Sequence, residues 1–216
     1  MPVNYFMEKR KIALFGGTFD PIHLGHSHVA AEAARHIGAE KIIFIPAKCS
    51  PLKGFAPSAS DDGRFAMIAL AIAGNRSFEL SDYELKRPQP SYTLQTVRQF
   101  QADYGQQTEI YWLVGADSVD DLPHWYKIVE LIDECNLATM YRAGFEPPDF
   151  SKFKALWGGQ RVEKLRRNVI ETSLINISST EIRKKIAAGG DVTNMLHPDV
   201  ADYIHEHGLY KGKVKP

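Results

Sequence analysis

The sequence predicts an α/β fold built on a doubly wound parallel sheet. Short apolar runs alternate along the chain with segments whose apolar residues recur at helical spacing. The first unit has a strand at Lys11–Phe15, a helix at Leu24–Ile37 closed by Gly38, and a strand at Lys41–Pro46. Its span of about 35 residues is the size of a parallel crossover unit. In such sheets ligands bind beyond the carboxyl ends of the strands, so functional residues are expected in the turns that follow strands.

The rest of the chain continues this alternation. A helix is predicted after Asp61, which is taken as its N-cap, and Gly74 stops it. Further helices are predicted at Ser91–Tyr104, 126–133, 178–188 and Pro198–Gly208, and further strands at Glu109–Val114, 136–140 and Glu171–Ile177. Residues 144–170 show no clean period, and no internal repeat or low-complexity segment is visible.

Composition places the chain among ordinary globular proteins. It has 216 residues, which suits one domain covering 1–216, and 44% of them are hydrophobic. Lys plus Arg and Asp plus Glu both number 26, so the net charge of zero gives no long-range attraction to nucleic acid or to an anionic membrane. Cys49 and Cys135 fit no disulfide framework, the N-terminus lacks a signal-peptide pattern, and no apolar run approaches the ~20 residues that span a bilayer. These features predict a soluble, cytoplasmic protein and leave its oligomeric state open.

The turn after the first predicted strand reads GGTFDPIHLGH, from Gly16 to His26. Glycines let a ligand approach the backbone closely, and the following helix offers free N–H groups, which together favour an anion. The pattern is neither the G-x-G-x-x-G of dinucleotide-binding loops nor a Walker loop. In place of the Walker lysine stand His23 and His26, whose three-residue spacing puts both rings on one helix face as donors to phosphate oxygens. The alternative, a metal site, lacks a third ligand beside them, and His28 is predicted to be a surface residue.

The turn before the penultimate predicted helix reads ISSTEIRKK. Ser178 and Glu181 fit a capping box, which explains these two residues structurally. It does not explain Ser179, Thr180 and Arg183, which add two hydroxyls and a guanidinium to a second helix N-terminus suited to phosphate. Two such helix starts predict that a polyphosphate is held between them.

Together, GGTFDPIHLGH and ISSTEIR resemble the signature pair of the HxGH nucleotidyltransferase superfamily. The segments SYTLQTV (Ser91–Val97), GADSVDDLPHWYK (Gly115–Lys127), YRAGF (Tyr141–Phe145) and VADYIHEHGLY resemble bacterial nicotinate-nucleotide adenylyltransferases, in the same order and through nearly the whole chain. The resemblance implies a Rossmann-like nucleotidyltransferase fold and an enzyme of NAD biosynthesis. Such an enzyme transfers the adenylyl group of ATP to nicotinate mononucleotide, giving nicotinate adenine dinucleotide and pyrophosphate. It also implies Mg²⁺ as cofactor, held by phosphate oxygens and water, since no carboxylate cluster in the sequence argues for a dedicated protein cage.

The resemblance further assigns roles to individual residues. The implied ATP-binding residues are Gly17, Thr18, Phe19, His23, His26, Asp117, Ser178, Ser179, Thr180 and Arg183. Of these, His23, His26 and Arg183 are the implied catalytic residues. The implied mononucleotide-binding residues are Lys53, Thr93, Trp125 and Arg142. Trp125 would stack on the pyridine ring, and Thr93 with neighbouring amides would receive the nicotinate carboxylate.

Several of these positions also have ordinary structural explanations. Asp117, expected to accept ribose hydroxyls, would equally fit a helix N-cap, and the SYT segment would fit another cap. Trp125 would fit simple packing, and Arg64 would fit a solvated helix residue. The chain departs from the family pattern at Leu52, where a histidine is common, which leaves Lys53, alone or with help from Lys48, to carry the charge for the mononucleotide phosphate.

Two other functions fit the same motifs. One keeps the fold and changes the acceptor to nicotinamide mononucleotide or another phosphate monoester, because acid and amide differ by a few hydrogen bonds around Thr93. The other is a nucleotide-binding regulator without catalysis. Loss of His23 or His26 would favour the regulator, but both histidines are present.

Overall fold

A computed structural model describes residues 9–49, 56–88 and 90–212 of the chain. Its strands are β1 (Arg10–Gly17), β2 (Lys41–Pro46), β3 (Phe78–Leu80), β4 (Thr108–Gly115), β5 (Asn136–Arg142) and β6 (Val169–Thr172). They form one six-stranded sheet in the order β3-β2-β1-β4-β5-β6, and all neighbouring strands pair in parallel. The chain therefore builds outward from β1 to one edge and then returns to the other side of β1. This is the doubly wound parallel sheet that the sequence predicts.

The connections between strands are mostly helical. The α-helices of the described residues are α1 (Leu24–Ile37), α2 (Asp61–Ile72), α3 (Thr93–Tyr104), α4 (Ile128–Glu134), α5 (Lys154–Trp157), α6 (Gly159–Arg167), α7 (Ser179–Ala187) and α8 (Pro198–Glu206). Short 3-10 turns lie at Ala116–Ser118, Leu122–His124 and Ser151–Phe153. Within this described part of the chain, no helix has both the length and the apolar character needed to cross a membrane.

Two apolar clusters lie on opposite faces of the sheet, because successive residues of a strand point to opposite sides. In β1, Ile12 and Leu14 belong to the first cluster, whereas Ala13 and Phe15 belong to the second. The first cluster packs α3, α4, α5 and α6 against the sheet. The second cluster packs α1, α2, α7 and α8 against the other face.

The first crossover unit has the predicted bounds at its helix and second strand. Helix α1 ends at Ile37 because Gly38 adopts a left-handed backbone with φ of +72°, and its N–H donates to the Ala34 carbonyl. Strand β1 continues past the predicted end at Phe15 and includes both glycines, since Gly16 and Gly17 pair with Ile45 and Pro46 of β2.

The predicted last strand at Glu171–Ile177 is wrong for most of its length, because β6 covers only Val169–Thr172. Strand β6 pairs with the end of β5, and β5 itself ends at Arg142. Beyond that point the chain has no partner strand, and it turns into the cleft described below. The alternating residues Ile175 and Ile177, which suggested a longer strand, line that cleft instead.

Other elements also differ from the predictions. Helix α2 is capped by Ser60 and not by Asp61, since the Ser60 Oγ accepts from the Gly63 N–H at 3.1 Å. Asp61 lies in the first turn, where an acidic side chain suits the helix dipole. Helix α3 starts two residues after the predicted Ser91. Strand β3 was not predicted, because an edge strand of three residues is too short to show a pattern.

Candidate active site

A cleft of about 1350 Å³ opens at the carboxyl end of the sheet. It is lined by the ends of β1, β4 and β5, by the N-terminal turns of α1 and α7, and by the segment after α8. All ten residues that the resemblance assigns to ATP line it, namely Gly17, Thr18, Phe19, His23, His26, Asp117, Ser178, Ser179, Thr180 and Arg183. The structure therefore brings together groups that are more than 150 residues apart in the sequence, and what each of them binds stays a prediction.

The glycines at the end of β1 are required by close packing. A Cβ on Gly16 would overlap the Trp112 indole from β4, and a Cβ on Gly17 would lie 2.9 Å from the Phe19 ring. The ring of Phe19 folds back over the glycine because its backbone is left-handed, with φ of +47°. These contacts fix the path of the chain from β1 into α1.

The two histidines cap helix α1 reciprocally. The Nδ1 of His23 accepts from the His26 backbone N–H at 3.3 Å, and the Nδ1 of His26 accepts from the His23 N–H at 3.2 Å. Their rings stack with centroids 3.7 Å apart. Because each Nδ1 accepts a hydrogen bond, each neutral ring carries its proton on Nε2. The capping arrangement therefore makes Nε2 the donor nitrogen of both imidazoles.

His23 is held in the neutral state. Its pKa is lowered from the ordinary 6.5 to about 4, mainly by burial and in addition by the positive charge of Arg142. Arg142 was assigned to the mononucleotide, but it lines the same cleft as the ATP residues and acts on His23 electrostatically. The arrangement gives a neutral imidazole donor at neutral pH beside a permanent cation.

The N-terminus of α7 is bonded to the loop that leads into α1. The Ser179 hydroxyl donates to the Pro21 carbonyl at 2.9 Å, and Nη1 of Arg183 donates to the Asp20 carbonyl at 2.7 Å. Nε of Arg183 is buried and has no hydrogen-bond partner within the described ranges. Two residues assigned to ATP thus also hold the loop before the histidines in place.

Only half of the predicted capping box of α7 is formed as expected. The Ser178 Oγ accepts from the Glu181 N–H at 3.2 Å, so Ser178 is the N-cap. The Glu181 carboxylate instead lies 3.5 Å from the Lys185 ammonium one turn further along the helix. The hydroxyl of Thr180 accepts from Arg183 Nη2 at 3.4 Å.

Sequence reasoning missed three residues that hold the loop between β1 and α1, namely Asp20, Arg64 and Tyr210. Asp20 is buried, and its carboxylate accepts from the N–H groups of Ser58 and Ala59 at 2.7 and 3.0 Å and from the hydroxyl of Tyr210 at 2.7 Å. Arg64 is not a solvated helix residue. It is fully buried, and its Nη1 donates to the Thr18 carbonyl at 2.7 Å. No local signal could have found these contacts, because their partners are far away in the chain.

Asp117 is an exposed residue at the mouth of the cleft. Its alternative assignment as an N-cap is wrong, because Gly115 precedes the 3-10 turn and Asp117 lies inside it. A Cβ on Gly115 would overlap the Asp117 carboxylate, so the glycine lets this side chain fold back toward the strand end. An exposed carboxylate at this position fits its predicted role with ribose hydroxyls.

Thr93 and Trp125 are not among the residues that line the main cleft. They lie near each other, because Tyr92 and Tyr126 stack with ring centroids 4.3 Å apart. The indole of Trp125 packs on the first cluster, and its Nε1 is buried with no hydrogen-bond partner in the described part of the chain. The prediction of a cap by the SYT segment is wrong, because the N-cap of α3 is Tyr92 and no side chain bonds the helix end. Lys53, the remaining predicted mononucleotide residue, lies outside the described residues, as does Leu52.

The cytidylyltransferase-like family model matches residues 14–185. A relative from Neisseria meningitidis serogroup C, named a probable nicotinate-nucleotide adenylyltransferase, is 38% identical over 94% of this chain and 99% of its own length. A relative of the same name from Rhodopirellula baltica is 32% identical over 93% of each chain.

A solved structure of similar fold comes from Plasmodium falciparum. It is the nicotinic acid mononucleotide adenylyltransferase complexed with NaAD, with a TM-score of 0.73 and 19% identity over 95% of this chain and all of the other. At that identity the likeness supports the Rossmann-like fold alone. The family model and the sequence relatives establish the family: the chain belongs to the cytidylyltransferase-like family and to the nicotinate-nucleotide adenylyltransferases.

Proposed function

We propose that this protein transfers the adenylyl group of ATP to nicotinate mononucleotide, giving nicotinate adenine dinucleotide and pyrophosphate. For a member of this family, one structural observation supports the proposal most directly. The N-termini of α1 and α7 meet in one cleft, and the first of them presents two imidazoles whose donor nitrogen is Nε2. Such an arrangement suits a phosphate chain that gains negative charge during reaction.

The chemistry follows from the charge of the substrates. A phosphate oxygen of the mononucleotide forms the new bond to the α-phosphorus of ATP, and the bond from that phosphorus to the β-phosphate bridging oxygen breaks. The attacking oxygen is already an anion, so no protein base has to remove a proton. The protein contributes positioning and charge stabilisation, as in phosphoryl transfer generally. We assign this role to His23, His26 and Arg183, with the hydroxyls of Ser178 and Thr180 binding phosphate oxygens. The Ser179 hydroxyl would join them after its O–H leaves the Pro21 carbonyl, to which it donates in this structure.

Mg²⁺ is part of the proposal as a cation carried by the triphosphate. The described residues contain no group of three or more His, Cys, Asp or Glu that could hold a metal. Of the carboxylates at the cleft, Asp20 already accepts hydrogen bonds from protein groups, while Asp117 and Glu146 are exposed. Donors of this kind fit a magnesium ion bound mainly by phosphate oxygens and water, which would neutralise the leaving pyrophosphate.

For the second substrate we assign the pyridine ring to Trp125 and its carboxylate to Thr93 and nearby amides. Lys53 and Arg142 are the cations for the mononucleotide phosphate. Arg142 lies in the same cleft as His23, so its guanidinium is placed to contact the phosphate close to the site of transfer. The expected partners are these small molecules, and the proposed location is the cytoplasm, because the spacing of the two cysteines in the sequence fits no disulfide framework.

The deciding experiment compares pyrophosphate release from ATP and Mg²⁺ with nicotinate mononucleotide and with nicotinamide mononucleotide. We expect a strong preference for the acid in kcat/KM. An equal or reversed preference would keep adenylyl transfer and overturn the assigned acceptor. Binding of ATP without pyrophosphate release from any mononucleotide would support the regulator and overturn the enzyme.

A further inference from the structure

The chain returns to the cleft after α8. Although α8 itself packs on the second cluster, the segment after it lines the cleft beside the residues assigned to ATP. The lining residues of this segment are Tyr210, Lys211 and Gly212. The backbone of Tyr210 is left-handed, with φ of +62°, a conformation that non-glycine residues seldom adopt. A contact that holds this residue in place is therefore expected.

That contact is the hydrogen bond from the Tyr210 hydroxyl to the buried carboxylate of Asp20, at 2.7 Å. Burial and the negative charge of Asp20 both raise the pKa of Tyr210, so the phenol stays protonated and acts as donor throughout the neutral range. The two residues are 190 positions apart in the sequence. The bond thus joins the far end of the chain to the loop between β1 and α1.

Asp20 is the centre of the contacts that hold this loop. Its carboxylate also accepts from two backbone N–H groups just before α2, and the Arg183 guanidinium lies 4.0 Å away. Thr18, on one side of it, is held by Arg64, and Pro21, on the other side, is held by Ser179. The loop reaches His23 three residues after Asp20, so a shift of Asp20 displaces the capping histidine directly.

We propose that Tyr210 is a positioning residue for adenylyl transfer, acting through Asp20 on the loop that places His23. The inference rests on the proposed function of the cleft. It goes beyond that function because Tyr210 has no assigned contact with either substrate. It predicts that the loss of one hydroxyl, at constant ring packing, lowers turnover more than it lowers substrate binding.

The test compares Tyr210→Phe with Tyr203→Phe, measured with ATP and nicotinate mononucleotide well below the unfolding temperature. Tyr203 is a matched control because it packs on the same cluster and its ring stacks on His207. We expect Tyr210→Phe to lower kcat at least about tenfold with KM values changed less than about twofold, since small displacements at a reacting centre are costly in rate. The control should keep its kcat. Equal kinetics for the two variants would overturn the proposal.

A double-mutant cycle with Asp20→Ala tests whether the effect of Tyr210 passes through Asp20. Oδ1 of Asp20 accepts from both the Ala59 N–H and the Tyr210 hydroxyl, so the bond to Tyr210 is abolished only when both carboxylate oxygens are removed, as in alanine. We expect Tyr210→Phe to add less than about a twofold loss in the Asp20→Ala background. Additive losses would show that Tyr210 does not act through Asp20. If the wild-type protein releases no pyrophosphate, the proposed function fails, whereas failure of the inference alone leaves wild-type turnover intact.

Discussion

The candidate site has two proposed halves, an ATP half around His23 and His26 and a mononucleotide half around Thr93 and Trp125, and these halves differ in how far their polar groups are bonded to one another. In the ATP half, His23 and His26 cap each other, and the loop before them is held by residues of α2, α7 and the segment after α8. In the mononucleotide half, Thr93 and Trp125 lie off the main cleft, and the indole Nε1 is buried without a partner in the described ranges. Among the described residues, the polar groups of the ATP half are thus bonded to one another more fully than those of the mononucleotide half.

This difference in internal bonding matches the chemical task proposed for each half. Stabilising charge at a reacting phosphorus requires donors that are fixed in advance, because reorganising them during reaction would cost rate. Binding a ring and its carboxylate tolerates adjustment, since the adjustment lowers affinity and leaves the chemical step unchanged. We therefore expect changes in the first half to appear in kcat and changes in the second half to appear in KM.

The largest effect is expected from His23→Ala and from His26→Ala. Each removes a fixed donor, and such losses typically lower kcat by about 10²–10³. Each also removes half of the reciprocal cap of α1, which costs about 1 kcal/mol of stability. Steady-state kinetics and thermal unfolding measure the two effects separately. His28→Ala, an exposed position on the same helix, is the control, and near wild-type kcat in both histidine variants would refute their role.

The neutral state of His23 predicts a loss of stability in acid. The folded pKa of about 4 lies below the ordinary value of 6.5, so the folded protein binds fewer protons than the unfolded chain at intermediate pH. The stabilisation is complete above about pH 6.5 and is lost as the pH falls toward 4, which amounts to about 2 kcal/mol between pH 7 and pH 4.5. Urea unfolding at the two pH values should show this loss in wild type and in His28→Asn, and a smaller one in His23→Asn. An identical loss in all three proteins would mean that His23 titrates normally.

Trp125→Ala should raise KM for the mononucleotide about tenfold, because stacking of a ring on an aromatic side chain contributes about 1–3 kcal/mol. KM for ATP should change less than about twofold, and Trp125→Phe, which keeps an aromatic face, should recover most of the affinity. Initial rates with each substrate varied in turn measure both constants. If Trp125 serves only packing on the first cluster, Trp125→Ala lowers thermal stability and leaves both KM values as they were.

The same contrast explains which features could be predicted from the sequence. The strand, loop and helix that carry His23 and His26 are contiguous, so the doubly wound sheet and the placement of these rings could be inferred locally. The reciprocal capping could not, because imidazoles are not preferred capping side chains. The burial of Arg64 and the Asp20–Tyr210 bond depend on segments that only the folded chain brings together. The prediction of a longer last strand was wrong for a related reason. Strand β6 ends where its partner β5 ends, and this pairing is not visible in the local sequence.

The two apolar clusters described above have a consequence for how the two halves respond to substitution. The helices that support the ATP half pack on the second cluster, whereas α3 and α4, which flank Thr93 and Trp125, pack on the first. Substitutions at distant sites with no shared partners act nearly independently. We therefore expect substitutions on the first-cluster side of the sheet to change acceptor binding, while the arrangement of His23 and His26 on the other side is little affected.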